Sequence, residues 1–171
     1  MKKILIIGAN GFTGRQILND LSVHAQYKVT GCSLHPDISP NDVGKYRFIE
    51  TDIRNEADIK CLFEEVQPDV VINCSALSVP DYCETHHEEA YLTNVTAVSQ
   101  LAVFCEEYKS RFIHLSTDFV FDGKMFVFDE KINEDAGPLY TEEDIPAPVN
   151  YYGYTKCCLL YTSPSPRDRT R

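Results

Sequence analysis

The sequence predicts an α/β chain built on a doubly wound parallel sheet, and three observations carry that expectation. Short β-branched runs alternate with stretches of helical spacing from the amino terminus to about residue 116. The connections between successive runs are long enough to hold crossover helices, which parallel pairing requires. One run, Asp69-Val-Val-Ile-Asn-Cys74, is apolar almost throughout, the pattern of a strand covered on both faces.

The elements follow in order. Lys3–Gly8 is a β-branched run ending in glycine, and Thr13–Leu21 then takes helical spacing. Tyr27–Cys32 gives a second strand and Tyr46–Ile49 a third, which ends at Thr51-Asp52. Glu56–Val66 is helical, with Ile59, Leu62, Phe63 and Val66 on one face, and Pro68 stops it. After the Asp69–Cys74 strand, Glu88–Tyr108 predicts one long helix and Arg111–Ser116 the fifth strand. From Asp122 to Asn150 periodicity disappears while Gly, Pro, Asp and Glu accumulate, so a long loop is expected, with a hairpin around Met125–Phe128. The sequence contains neither an internal repeat nor a second domain.

The 171 residues are 43% apolar and 25% charged, which suits one globular domain. A net charge of −10 leaves no basic field to attract nucleic acid or an anionic membrane surface. The apolar run at the amino terminus is too short for a signal peptide and no later run could span a bilayer, so a cytoplasmic location is expected. Seven cysteines, an odd number without a CxxC pair, fit free thiols better than a zinc site or a disulfide framework, and no metal ligands are expected among these residues.

The chemistry concentrates in two places. Gly8-Ala-Asn10-Gly11-Phe12-Thr13-Gly14 follows a predicted strand and opens a predicted helix. Gly8 allows the sharp turn, Gly11 admits a pyrophosphate against the backbone, Gly14 lets helix and strand pack closely, and the helix amino terminus offers N–H donors. This is the context a dinucleotide-binding, Rossmann-like turn requires, and the GxxGxxG spacing is the form used by extended short-chain dehydrogenases. The residue after the second strand selects between NAD and NADP. Cys32-Ser33-Leu34-His35 offers neither a carboxylate nor Arg or Lys there, so Ser33 and His35 incline the choice slightly to NADP(H), with dual use open. Asp52 and Ile53, after the third strand, are candidates for contacting adenine, and Asp52 is equally a candidate helix cap.

The second place is Tyr152-Gly-Tyr-Thr-Lys156. A Tyr and a Lys four apart on a helix project from one face, so an ammonium can lower the phenol's pKa while the phenol moves a proton. Tyr154 is a competing phenol without that spacing. Ser116 and Thr117, at the end of the fifth strand, complete a Ser/Thr, Tyr and Lys set, in which the Thr117 hydroxyl would hydrogen-bond a substrate carbonyl.

"NCSALSVPDYCE", "HLSTDFVFDG" and "NYYGYTK" together resemble the dTDP-4-dehydrorhamnose reductase family of extended short-chain dehydrogenases, across essentially residues 1–157. The resemblance implies NADH- or NADPH-dependent reduction of the 4-keto group of a nucleotide sugar, with Thr117, Tyr152 and Lys156 catalytic and Ser116 alongside. It also implies that Cys74, Ser75 and Ala76 lie along the cofactor and that Asn94 stands near the lysine. Mg²⁺ and a homodimer are implied only for a longer parent protein. Two stretches depart from the family pattern, Pro80-Asp81-Tyr82-Cys83-Glu84 and a longer loop over Lys124–Pro138. The same resemblance leaves open a nucleotide-sugar epimerase or dehydratase. It also leaves open a non-catalytic NADP-binding regulatory subunit like that of methionine adenosyltransferase.

Residues 158–171 shift abruptly to Ser-Pro-Ser-Pro followed by Arg-Asp-Arg-Thr-Arg, and they resemble a translated sequencing adapter. On this reading residues 1–157 are an incomplete dinucleotide-binding domain cut within its catalytic helix, the tail is disordered, a carboxyl-terminal substrate domain is missing, and the fragment is inactive.

Overall fold

A computed structural model describes residues 1–38, 45–123, 140–141 and 143–162. Five strands, β1 (Lys2–Ile7), β2 (Tyr27–Ser33), β3 (Arg47–Glu50), β4 (Val70–Asn73) and β5 (Arg111–His114), form one parallel sheet in the order β3-β2-β1-β4-β5. The register pairs Ile4 with Val29 on one side and with Val70 on the other, so β1 is the centre of the sheet. The expected doubly wound sheet is therefore present. Its order reverses between β1 and β4, which leaves a crevice at the carboxyl ends of those two strands.

Alternation along β1 divides the core in two. Leu5 and Ile7 join Val71 on the face covered by α2 (Glu56–Val66) and α5 (Ala97–Glu107), where Phe63 and Leu101 are fully buried. Ile4 and Ile6 join Val29 and Val70 on the other face, against Leu18 of α1 (Phe12–Ser22). Asn55 caps α2, its side chain accepting from the Ala57 N–H at 3.0 Å. The cap is thus Asn55 and not Asp52, which instead pairs with Arg54.

Two helices differ from expectation. The single helix predicted over Glu88–Tyr108 is α4 (His87–Tyr91), a π-helical turn (Leu92–Thr96) and α5, with a short α3 (Pro80–Thr85) before them. The extra residue of the π turn turns Asn94 inward, a shift that apolar periodicity does not encode. The last helix, α6, runs Tyr151–Thr162, beyond the break read at Cys158. Leu159 is buried against Val95 and Val98, and Ser163-Pro164 is the first helix-breaking pair. The hairpin expected at Met125–Phe128 and the residues from Ser163 onward lie outside the described residues. No helix among the described residues is long and apolar enough to cross a membrane, and all seven cysteines are free thiols.

Candidate functional site

The strands are parallel, so the segments leaving β1, β2, β3 and β4 emerge on one edge and enclose a cleft of about 220 Å³. Gly8 starts the first segment at φ +77°, and a Cβ there would stand 2.7 Å from the Ser75 backbone nitrogen. At Gly14, a Cβ would lie 2.2 Å from the Gly8 carbonyl oxygen. A side chain at Gly8 would push the turn away from the segment after β4, and one at Gly14 would push α1 away from the turn. α1 begins at Phe12 with no acidic residue in its first turn, so N–H groups without intrahelical partners face the turn beside Gly11 and Thr13. Phe12 itself is 96% exposed and its ring does not enter the cleft.

Of the residues singled out in the sequence, Gly8, Ser33, Ile53, Ser75 and Ala76 line the cleft, joined by Leu77 and Thr93, which sequence reasoning missed. Arg54 and Glu89 close its polar side. Asp52 bonds Arg54 at 2.8 Å, and that guanidinium holds its carboxyl below the ordinary range. The apolar walls and the glycine cradle, which any Cβ would fill, fit the flat base and pyrophosphate of a dinucleotide.

Asn10 does not line the cleft. Its amide donates to the carbonyls of His35 and Pro36 at 3.0 and 2.9 Å and fixes the segment after β2. Its oxygen accepts from Arg15, whose guanidinium also bonds Asp37 at 2.6 Å and the Tyr46 hydroxyl at 3.0 Å. A carboxylate and a guanidinium thus stand beside the end of β2, where the Cys32–His35 stretch alone offered neither. Asp37 lies too far along the chain from Ser33 to be found by position.

The second group lies at the end of β5. Thr117 opens a 3-10 turn (Asp118–Val120), its hydroxyl accepting from the Phe119 N–H at 3.3 Å. Ser116 is exposed beside it. Tyr152, on α6, is 8% exposed and its ring meets Phe119 edge-on. Burial raises the phenol above its ordinary range, and a hydrogen bond with Thr117 opposes that. Lys156, 3% exposed, has its amine 2.8 Å from His114 Nε2 and donates to the Leu115 carbonyl at 2.7 Å. Burial brings it down to about 8. The ammonium expected to depress the Tyr152 phenol is therefore engaged elsewhere, and burial dominates that phenol. Tyr154 is half exposed.

Asn94, 1% exposed, ties these parts together. Its oxygen accepts from the Leu77 N–H at 2.8 Å; its amide donates to the Leu77 carbonyl and the Thr155 hydroxyl, both at 3.0 Å. The cleft-lining segment after β4, where Cys74 is half-buried, is thereby locked to the helix bearing Tyr152 and Lys156. Among the described residues no group of three or more His, Cys, Asp or Glu side chains could hold a metal ion.

Residues 1–158 match the family model described as the RmlD substrate binding domain. The chain belongs to that family. Among curated relatives, it is 32% identical over 160 residues to the probable low-salt glycan biosynthesis reductase Agl14 of Haloferax volcanii, covering 88% of this chain and 45% of that one. It is 32% identical over 155 residues to methionine adenosyltransferase 2 subunit beta of Xenopus laevis, covering 91% and 40%. A crystal structure of a hypothetical dTDP-4-dehydrorhamnose reductase from Sulfolobus tokodaii superposes with a TM-score of 0.74 at 30% identity, covering 95% of this chain and 51% of that one. This RmlD-family chain thus spans about half the length of the relatives it matches.

Proposed function

We propose that this chain is the cofactor-binding part of an NAD(P)H-dependent reductase that acts on the 4-keto group of a dTDP-linked deoxysugar. The observation that carries the reading is the approach of the Gly8 turn and the Thr117, Tyr152 and Lys156 group to one edge of a parallel sheet. The nicotinamide dinucleotide supplies the hydride when bound. Gly8, Gly11 and Gly14 leave its pyrophosphate room at the start of α1, where the N–H groups of Phe12 and Thr13 favour negative charge. Ile53, Ser75 and Ala76 form the wall against its base and backbone.

Tyr152 holds the proton that the carbonyl oxygen gains, and its raised pKa keeps that proton on the phenol at neutral pH. Thr117 donates a hydrogen bond to the same oxygen as negative charge builds on it. Lys156 restores the proton once its amine leaves His114. The likeness to a dTDP-4-dehydrorhamnose reductase and to a glycan biosynthesis reductase supports a nucleotide-sugar substrate.

A second reading, a cofactor-binding subunit without turnover, draws support from Lys156 being bonded to His114 and not to the phenol, and from the likeness to methionine adenosyltransferase 2 subunit beta. Fluorescence titration of the 171-residue chain with NADPH and NADH tests both readings. Saturable binding that Gly14→Val abolishes is expected for either, and absence of binding overturns both. Oxidation of the bound cofactor by a 4-keto nucleotide sugar, measured with this part joined to the remaining half of a matched reductase, then separates them: turnover that Tyr152→Phe lowers by about a hundredfold or more supports the reductase.

A further inference from the structure

Asn73, His114 and Lys156 form a buried hydrogen-bond chain whose direction is fixed at one end. The Ser75 backbone N–H can only donate, and it donates to Asn73 Oδ1 at 2.9 Å, with the Ser75 hydroxyl donating to the same oxygen at 2.6 Å. That identifies the Asn73 oxygen and leaves Nδ2, a donor, facing His114 Nδ1 at 3.1 Å. A neutral imidazole carries one proton, so a ring that accepts at Nδ1 carries it on Nε2. Nε2 lies 2.8 Å from the Lys156 amine. An Nε2–H donor and an ammonium are both donors, whereas an uncharged amine accepts from the ring and still donates to the Leu115 carbonyl.

We propose that His114 is a positioning residue that biases Lys156 toward its uncharged amine, through a hydrogen-bond polarity imposed by Ser75 and Asn73. The role in proton delivery rests on the reductase reading above; the bias itself does not. The alternative polarity has His114 protonated on Nδ1 and accepting from an ammonium. It requires Asn73 to turn end for end and set its NH₂ group against the Ser75 N–H. Asn73 is fully buried, so water cannot relieve that clash.

The surrounding charges leave the bias to this chain. The titratable groups meeting α6 from neighbouring elements are Cys83 and Glu84 of α3, His87 and Tyr91 of α4, and Asp118 of the 3-10 turn. None of these acts on either residue: Lys156 is lowered by burial, and His114 by burial first and Lys156 second. His114 is brought down to about 3, so its ring is neutral in the range where the argument applies. Ser75 lines the cleft. A ligand that draws the Ser75 N–H or hydroxyl away from Asn73 frees the amide to turn over and Lys156 to take up a proton.

NMR of the isotopically labelled 171-residue chain, without ligand, tests the proposal by two routes. Long-range nitrogen–proton correlations are expected to place the His114 proton on Nε2; a proton on Nδ1 overturns the proposal without any variant. Titration of the Lys156 side-chain signals is expected to show that His114→Leu raises the midpoint by a unit or more, a tenfold gain in proton affinity. A midpoint that stays shows that His114 does not bias the amine, one that falls shows that it stabilises the ammonium, and either overturns the proposal. Neither readout involves a cofactor, so failure to bind NADH or NADPH counts against the reductase reading alone.

Discussion

At the scale of single residues, burial governs the ionisable groups near the end of β5, and it makes folding depend on pH in two windows. The His114 ring falls from an ordinary 6.5 to about 3 in the folded chain. Between those values the unfolded chain binds a proton that the folded chain does not. Stability contributed by the neutral ring is therefore complete above pH 6.5 and lost as pH falls toward 3, with a slope of at most about 1.4 kcal/mol per pH unit. Lys156 falls from 10.5 to about 8. Here the unfolded chain carries the extra proton between pH 8 and 10.5, so this group makes stability rise with pH through that window. Thermal unfolding followed from pH 4 to 7 is expected to show a steep acid loss in the native sequence and a shallower one in His114→Leu. Parallel curves would remove His114 from the acid response.

At the scale of elements, the π turn and α6 owe their relative placement to Asn94. Three hydrogen bonds from one fully buried side chain join Leu77, on the segment after β4, to Thr155, whose hydroxyl in turn donates to the Tyr152 carbonyl at 2.7 Å. Asn94→Ala strips partners from buried groups on two elements, and a loss of about 2–4 kcal/mol is expected in denaturant unfolding. Hydrogen exchange should quicken at Leu77 and across α6 before it does in β1. A uniform change across the chain would mean that Asn94 serves general packing. The same contacts mark the limit of what the sequence reveals. The strands, the glycine turn and the spacing of Tyr152 and Lys156 were legible because each is encoded within a few neighbouring residues. The Asn94 bracket spans 61 residues, the pairing of Lys156 with His114 spans 42, and that of Arg15 with Asp37 spans 22. No periodicity reports such contacts. The π turn was hidden for a related reason: it inserts one residue without disturbing the apolar stripe, so Glu88–Tyr108 read as one regular helix.

At the scale of the whole molecule, the two edges of the sheet are unequal. β3 is one edge, and its Phe48 and Ile49 pack against the two core clusters. β5 is the other, and it alternates strictly: Phe112 turns toward the core and packs with Val95 and Val98, while Ile113 is 40% exposed on the opposite face. Leu115, just beyond, is exposed as well. Arg111 shares that exposed face, yet Ile113 and Leu115 still set apolar surface beside the unpaired backbone donors of an edge strand, the combination that drives edge-to-edge association. The net charge of −10 opposes that association by repulsion, and salt screens the repulsion over about 8 Å at physiological ionic strength. The chain is therefore expected to associate more as salt rises, from low to physiological ionic strength, as measured by sedimentation. Ile113→Lys places a charge on the exposed face of the edge without touching the core side of β5. It should suppress the salt-dependent association while changing the unfolding free energy by no more than about 0.5 kcal/mol. Association that persists in Ile113→Lys would exclude the β5 edge as its origin and turn attention to the exposed apolar residues Val103 of α5 and Tyr154 of α6.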